Sequence, residues 1–85
     1  MTISYNKDFT KKFKKLSAPQ KSKFKERQIL FEKDEFNPIL NNHALTGEYN
    51  GLRSINISGD LRAIFRREKD SILFVALDKH SNLYG

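Results

Sequence analysis

The sequence contains no cysteine, and it has only two histidines, four glycines and two prolines. Without cysteine the chain has no disulfide bond and no thiolate zinc site, which fits a reducing cytoplasm. No apolar run approaches the length of a membrane span, and Met1-Thr2-Ile3-Ser4-Tyr5 is not followed by the apolar core of a signal peptide. Two histidines without a tight acidic cluster do not make a metal site. We therefore expect a cytoplasmic protein that needs no metal or other cofactor.

The composition predicts one compact, basic domain. The 85 residues are 38% hydrophobic and 12% aromatic, which is enough for a single core over residues 1–85 with little room for a second. The net charge is +6, and nine of the sixteen Lys and Arg residues precede position 28, where only Asp8 and Glu26 are acidic. This charge favours an anionic partner such as nucleic acid, an acidic protein or a membrane surface, although it also serves solubility alone.

The N-terminal half predicts two helices. The first follows Asn6, a favourable N-cap, and its apolar residues recur at helical spacing: Phe9, Phe13 and Leu16. Pro19 suits the first turn of a second helix, which runs to about Phe36 and ends before Pro38. The pair predicts an αα-hairpin whose exterior carries the lysines.

The C-terminal half predicts three strands after a polar, irregular stretch over residues 38–51. Two segments alternate with period two, and the third is a nearly continuous apolar run, which is typical of a central strand buried on both faces. Their bounds are Leu52–Ile57, Leu61–Arg67 and Ser71–Leu77. With a short strand at Ile3–Tyr5, the order is β-α-α-β-β-β. We predict an α+β fold in which a helical hairpin packs on one face of an antiparallel sheet.

The opposite face of this sheet stays free, and every second residue of its strands points into it. Ser54 and Asn56, or Arg62 and Arg66, are candidates to line that face. The C-terminal segment His80-Ser81-Asn82-Leu83-Tyr84-Gly85 joins an imidazole to an aromatic ring that is able to stack on a base. In a basic domain this combination indicates RNA chemistry. As the continuation of the last strand, the segment is expected to fold back towards the loops that carry the other histidine and the β-hairpin turn.

Four stretches together resemble the RelE/ParE toxin superfamily, and within it the YafQ-type branch. They are Asn42–Gly47, Gly51–Ile57, Gly59–Arg66 and Lys79–Tyr84, beside the family pattern H-x-L-x-G, R-x-x-H-I, D-x-R-x-I-Y-R and H-S-x-L-[FY]. The resemblance covers essentially the whole chain. It implies the RelE-like fold and a ribosome-dependent, metal-independent endoribonuclease that cleaves mRNA and inhibits translation. It also implies a cognate antitoxin, a monomeric free toxin and no membrane partner.

The same resemblance names the candidate catalytic residues: His80 as the main acid or base, His43 and Asp60. The candidate RNA- and phosphate-binding residues are Arg53, Arg62, Arg66, Lys79, Tyr84 and Asn56. Each has a simpler alternative. In that alternative His80 is an exposed terminal residue without a role, and His43 is a loop residue that caps a backbone group. Asp60 is then an ordinary residue of the hairpin turn. The arginines then form a solvated face or ion pairs with an antitoxin, and the terminal tyrosine packs on the sheet.

The chain departs from the family pattern at three places. Asn56 stands where many relatives have a histidine, Ala76 where they often have an arginine, and Asp78-Lys79 replaces the usual Gly-Thr. The first change removes a proton carrier, and the second removes an arginine that would hold a phosphate. Lys79, Arg62 or Arg66 would replace the charge of that arginine but not its bidentate geometry. Two alternatives therefore stay open: a ParE-like toxin that inhibits gyrase, and a catalytically weakened toxin that mainly binds its antitoxin.

Overall fold

The elements follow the predicted order, with one added strand, two added 3-10 turns and one added C-terminal helix. The computed structural model describes residues 1–84, and of Tyr84 it describes the backbone alone. The strands are β1 (Thr2–Tyr5), β2 (His43–Ala44), β3 (Arg53–Ser58), β4 (Leu61–Arg67) and β5 (Ser71–Lys79). The helices are α1 (Lys7–Lys14), α2 (Ala18–Lys33) and α3 (His80–Tyr84), and short 3-10 turns cover Pro38–Leu40 and Gly47–Tyr49. None of these helices is long and apolar enough to cross a membrane.

The predicted helix starts are confirmed, whereas the predicted end of α2 is wrong. The Asn6 side chain accepts a hydrogen bond from the Phe9 amide at 2.8 Å, as an N-cap should. The second helix ends at Lys33 rather than near Phe36. The Asn37 side chain instead caps the following 3-10 turn, which brings Leu40 into the core with no exposed surface. Burial of that leucine therefore takes precedence over a last helical turn.

The sheet has the order β1-β5-β4-β3-β2, and it is mixed rather than purely antiparallel. The first strand pairs with β5 in parallel, with Tyr5 beside Phe74. The intervening helical hairpin makes this possible, because a parallel return needs a long crossover. The segment over residues 38–51 is also less irregular than predicted, because it contains β2, which pairs with β3.

The core lies between the helical hairpin and one face of the sheet. It is rich in phenylalanine: Phe9, Phe24, Phe31, Phe65 and Phe74 are each no more than 2% exposed and belong to one packed cluster. The ring centroids of Phe31 and Phe65 lie 5.1 Å apart in an edge-to-face arrangement, a favourable geometry for aromatic pairs. The apolar run of β5 is fully buried on this face alone, because Ile72, Phe74 and Leu77 are buried and the intervening residues are half-buried.

Candidate functional site

The face of the sheet opposite the helices, called the open face below, carries two cross-strand rows. Paired residues in a ladder point to the same side. One row runs from β2 to β5 through His43, Ser54, Ile64 and Ala76. The other contains Asn56, Arg62 and Asp78. The open face therefore combines side chains that the sequence separates by up to 35 positions, and two of the predicted binding residues lie in one row.

The C-terminal helix begins beside the turn between β3 and β4. The backbone N–H of His80 donates to the backbone carbonyl of Asp60 at 2.7 Å, so the main chains of these two predicted catalytic residues adjoin. Both side chains are exposed. Gly59 has a positive φ of 47°, a conformation that favours glycine, and it tightens the turn that presents Asp60. The C-terminal segment therefore reaches this turn, which is one of the two loops towards which it was expected to fold.

The second predicted histidine, His43, lies on the edge strand β2. Its Nδ1 is 2.8 Å from the carbonyl oxygen of Asn41. Because a carbonyl only accepts, Nδ1 must carry the proton, and Nε2 of the neutral ring is then a proton acceptor. Three strand spacings of about 4.8 Å each separate the backbone of this residue from β5. The two histidines therefore flank the open face, whereas the C-terminus approaches Asp60 directly.

The predicted phosphate-binding arginines occupy different places. The Arg62 guanidinium donates to the carbonyls of Gly59 at 2.8 Å and Leu61 at 3.1 Å, so it is held against the turn that presents Asp60. The Arg66 guanidinium is 3.0 Å from the carboxylate of Glu68 and is exposed. Of the two, Arg62 is the cation fixed closest to the backbone junction with the C-terminal helix.

Two predicted binding residues lie on the helix side of the sheet. Arg53 packs over the ring of Phe36 with 5.7 Å to its centroid, and its Nε donates to Asn42 at 2.8 Å. Its strand partner is Phe65, a core residue, so Arg53 belongs to the helix side of the sheet. Lys79 pairs with Leu61, also a core residue, and is exposed at the end of β5. The side chain of Tyr84 lies outside the described part of the chain.

Two polar atoms of the open face are buried without a partner. Ser54 Oγ and Asn56 Oδ1 find no hydrogen bond among the residues that the structure describes. Ile64, the strand neighbour of Ser54, is fully buried yet lies outside the main core cluster. The open face is thus partly covered along the row that contains Ser54 and Ile64, and it is polar along the row of Asn56 and Arg62, next to the Asp60 turn.

The sequence prediction missed the partners of Asp78. One of its carboxylate oxygens accepts from the Lys79 amide at 2.8 Å and from the Asn82 side chain at 3.0 Å. The other lies 3.0 Å from Nζ of Lys12 on α1. The hydrogen bond from Asn82, and further those from Lys79 and Lys12, hold the pKa of this carboxyl below its ordinary value. The only signal in the sequence was that Asp78-Lys79 differs from the family pattern.

A groove of about 280 Å³ lies on the other side of the molecule, between the two long helices and β1. Its lining is mainly aromatic: Tyr5, Phe9, Thr10, Phe13, Phe24, Lys25 and Gln28. The Tyr5 hydroxyl donates to the side chain of Gln28, and partial burial raises the pKa of Tyr5. Among the described residues no group of three or more His, Asp or Glu side chains is placed to hold a metal ion.

These features define a small α+β fold in which a helical hairpin covers one face of a mixed five-stranded sheet. The family model of YafQ, a bacterial toxin of type II toxin–antitoxin systems, matches residues 1–85. The chain therefore belongs to the YafQ toxin family. A comparison with curated proteins gave no match.

Solved structures show the same fold. The chain is similar to YafQ from E. coli, with a TM-score of 0.78 and 21% identity over 98% of this chain and 97% of that one. A copper-bound mutant toxin from Helicobacter pylori has a TM-score of 0.78 and 23% identity over 99% of both chains. The E. coli DinJ–YafQ toxin–antitoxin complex gives 0.75 and 22% over 98% of this chain and 96% of that one. At these identities the likeness establishes the fold.

Proposed function

We propose that this chain is a toxin that cleaves mRNA on the ribosome without a metal ion and thereby inhibits translation. The observation that carries the proposal is the 2.7 Å backbone hydrogen bond from His80 to Asp60, which joins the main chains of these two residues at the turn against which Arg62 is anchored. Membership of the YafQ family supports the choice of mRNA as substrate. The net charge of +6 suits a polyanion.

Cleavage of this kind uses the substrate's own 2′-OH as the nucleophile. A base takes the proton of that hydroxyl, the new bond from O2′ to phosphorus forms, and the bond from phosphorus to O5′ breaks as an acid protonates the leaving oxygen. A histidine suits both proton steps because its pKa lies near neutrality. We assign His80 to one of them, with His43 or Asp60 as the complementary group. Arg62 stabilises the negative charge that develops on the phosphorane.

The partner proposed for this toxin is an acidic antitoxin. The E. coli DinJ–YafQ structure is a toxin–antitoxin complex, and the aromatic groove is the surface that we propose for such a partner on this chain. Its aromatic groove has Lys25 in the lining, and Lys21 lies 6.0 Å from the centroid of the Phe13 ring. An acidic segment with an apolar side chain would fill the groove and neutralise these lysines.

Primer extension on an mRNA translated by purified ribosomes tests the proposal. The wild-type chain should produce ribosome-dependent cuts, and His80→Ala should reduce cutting by about a hundredfold or more, as loss of a general acid or base does. Circular dichroism of the variant shows that the fold is retained. Lys69→Ala, on the turn between β4 and β5, is the control that should keep wild-type activity. Inhibition of gyrase supercoiling without mRNA cuts would instead identify a ParE-like toxin.

A further inference from the structure

The start of α3 is held by a carboxylate that the family pattern does not supply. Asp78 is the last residue but one of β5, and its Oδ1 accepts both the Lys79 amide and the Asn82 side chain. The two donors lie on either side of His80 in the chain. The carboxylate therefore ties the strand end to the first turn of α3, in the manner of a side-chain cap.

The same carboxylate reaches a second element. Its Oδ2 lies 3.0 Å from Nζ of Lys12, and the two side chains are 25% and 54% exposed respectively. The helix α1 packs along β5, and Lys12 meets this strand beyond Phe74, the last residue of β5 that pairs with β1. The three partners of Asp78 thus come from β5, α1 and α3, and they meet at the junction where α3 begins with His80.

We propose that Asp78 is a positioning residue that fixes the backbone of His80 against the Asp60 turn. The inference rests on the proposed function, because it assigns a purpose to the placement of His80. Two independent restraints act on this backbone: the His80 amide bonds to the Asp60 carbonyl, and the Asp78 carboxylate closes the turn that follows. Loss of the second restraint frees the turn, and an imidazole displaced by about 1 Å loses much of its catalytic effect.

Two measurements on the purified full-length chain test this role. The first is amide hydrogen exchange of His80 by NMR, which reports the bond to Asp60. The second is the single-turnover rate of mRNA cleavage on stalled ribosomes. For Asp78→Ala we expect about tenfold faster exchange at His80 and about tenfold slower cleavage. Asp78→Asn keeps an acceptor oxygen for Lys79 and should restore most of both.

Matched controls separate positioning from a general loss of charge. Asp70→Ala removes a carboxylate from the turn between β4 and β5, and Lys11→Ala removes a lysine from α1 that makes no contact with Asp78. Both should keep wild-type exchange at His80. Lys12→Ala should accelerate that exchange in the wild-type background and have no further effect in Asp78→Ala, because the two side chains act as one unit.

The outcomes are distinct. Unchanged His80 exchange in Asp78→Ala, or a change equal to that of Asp70→Ala, overturns the inference. If Asp78→Ala does not fold, Lys12→Ala decides the question by the same measurement: faster exchange at His80 supports the inference, and unchanged exchange overturns it. If the wild-type chain makes no cuts in mRNA, the proposed function fails, while hydrogen exchange still decides whether Asp78 restrains His80.

Discussion

At the scale of single residues, the open face has two buried polar atoms that lower stability. Ser54 Oγ and Asn56 Oδ1 lack partners within residues 1–84, and an unpaired buried polar group costs about 1–3 kcal/mol. The period-two pattern predicted that both side chains share this face. It did not predict the burial of Ser54, which pairs with His43 of β2, because β2 has only two residues and is too short to show a periodic pattern.

Replacement of Ser54 by alanine should therefore stabilise the protein. The substitution removes an unsatisfied hydroxyl and leaves the apolar contacts in place, so we expect the free energy of unfolding to rise by about 1 kcal/mol. Urea denaturation of the two proteins measures the change. Ile64→Ala, at the paired position on β4, is the comparison and should lower stability by about 2–4 kcal/mol. A loss of stability in Ser54→Ala would mean that the hydroxyl has a bonding partner in solution.

Restoring the arginine that the family pattern often has at position 76 should raise the cleavage activity. Ala76 is half-buried in the same row as His43, at a position where relatives often carry arginine. For Ala76→Arg we expect cleavage to rise about tenfold, because a charge-assisted hydrogen bond to phosphate contributes about 1.5–3 kcal/mol. Single-turnover cleavage on ribosomes is the measurement, and Ala76→Gln controls for side-chain bulk. An unchanged rate in Ala76→Arg would show that Arg62 already supplies the clamp.

At the scale of elements, local signals determined the helix starts. Asn6 and Ser17 are the two N-caps, and Ser17 forms a reciprocal capping box with Gln20. Asn6→Ala and Ser17→Ala should each lower the free energy of unfolding by about 1 kcal/mol. Cleavage per folded molecule should stay unchanged, because neither residue is part of the open face. Urea denaturation and primer extension on the same samples test both statements, and a selective loss of cleavage would contradict the second.

Strand pairings were predictable only between consecutive strands that a short turn connects. The turns over residues 58–60 and 68–70 followed from the alternation around them, and the β3-β4-β5 meander is confirmed. The parallel pairing of β1 with β5 was not predictable, because nearly seventy positions separate Tyr5 from Phe74. The same limit applies to the contact between Lys12 and Asp78, where two remote surface charges meet only once α1 has packed beside β5.

The hydrogen bonds of Asp78, that from Asn82 first, make the stability of the fold decrease at acid pH. The pKa of Asp78 is held below its ordinary value, first by the hydrogen bond from Asn82. A carboxyl whose pKa is lower in the folded state stabilises the fold above its unfolded pKa, and this contribution is lost as the pH falls through the folded pKa. The stability difference between wild type and Asp78→Asn should thus be constant near neutrality and vanish at strongly acid pH. Urea midpoints across this range provide the measurement, and a difference that persists at low pH would contradict the assignment.

At the scale of the whole molecule, two chemically different surfaces lie on opposite sides of the sheet. The open face carries His43, Asn56 and Arg62, whereas the helix side has the aromatic groove with Lys25. Composition predicted the basic charge but not this division, which requires the helices to cover one face alone. Arg53 illustrates the point. It lies two residues before the buried Ile55 on β3 and therefore shares the helix side of the sheet with it, although the family pattern made it a phosphate-binding candidate.

This division predicts that antitoxin binding and catalysis respond to different substitutions. Lys25→Glu places a negative charge in the groove lining, so affinity for an acidic antitoxin should fall about tenfold or more, through repulsion that added salt reduces. Titration calorimetry with the purified cognate antitoxin measures the affinity, and Lys69→Glu, which makes the same charge change outside the groove, is the control. Cleavage by Lys25→Glu in the absence of antitoxin should remain within about twofold of wild type, because the groove lies behind the sheet from His80. Equal affinities for the two charge variants would place the antitoxin on another surface, and the open face is then the remaining candidate, because its cations would attract the same acidic segment.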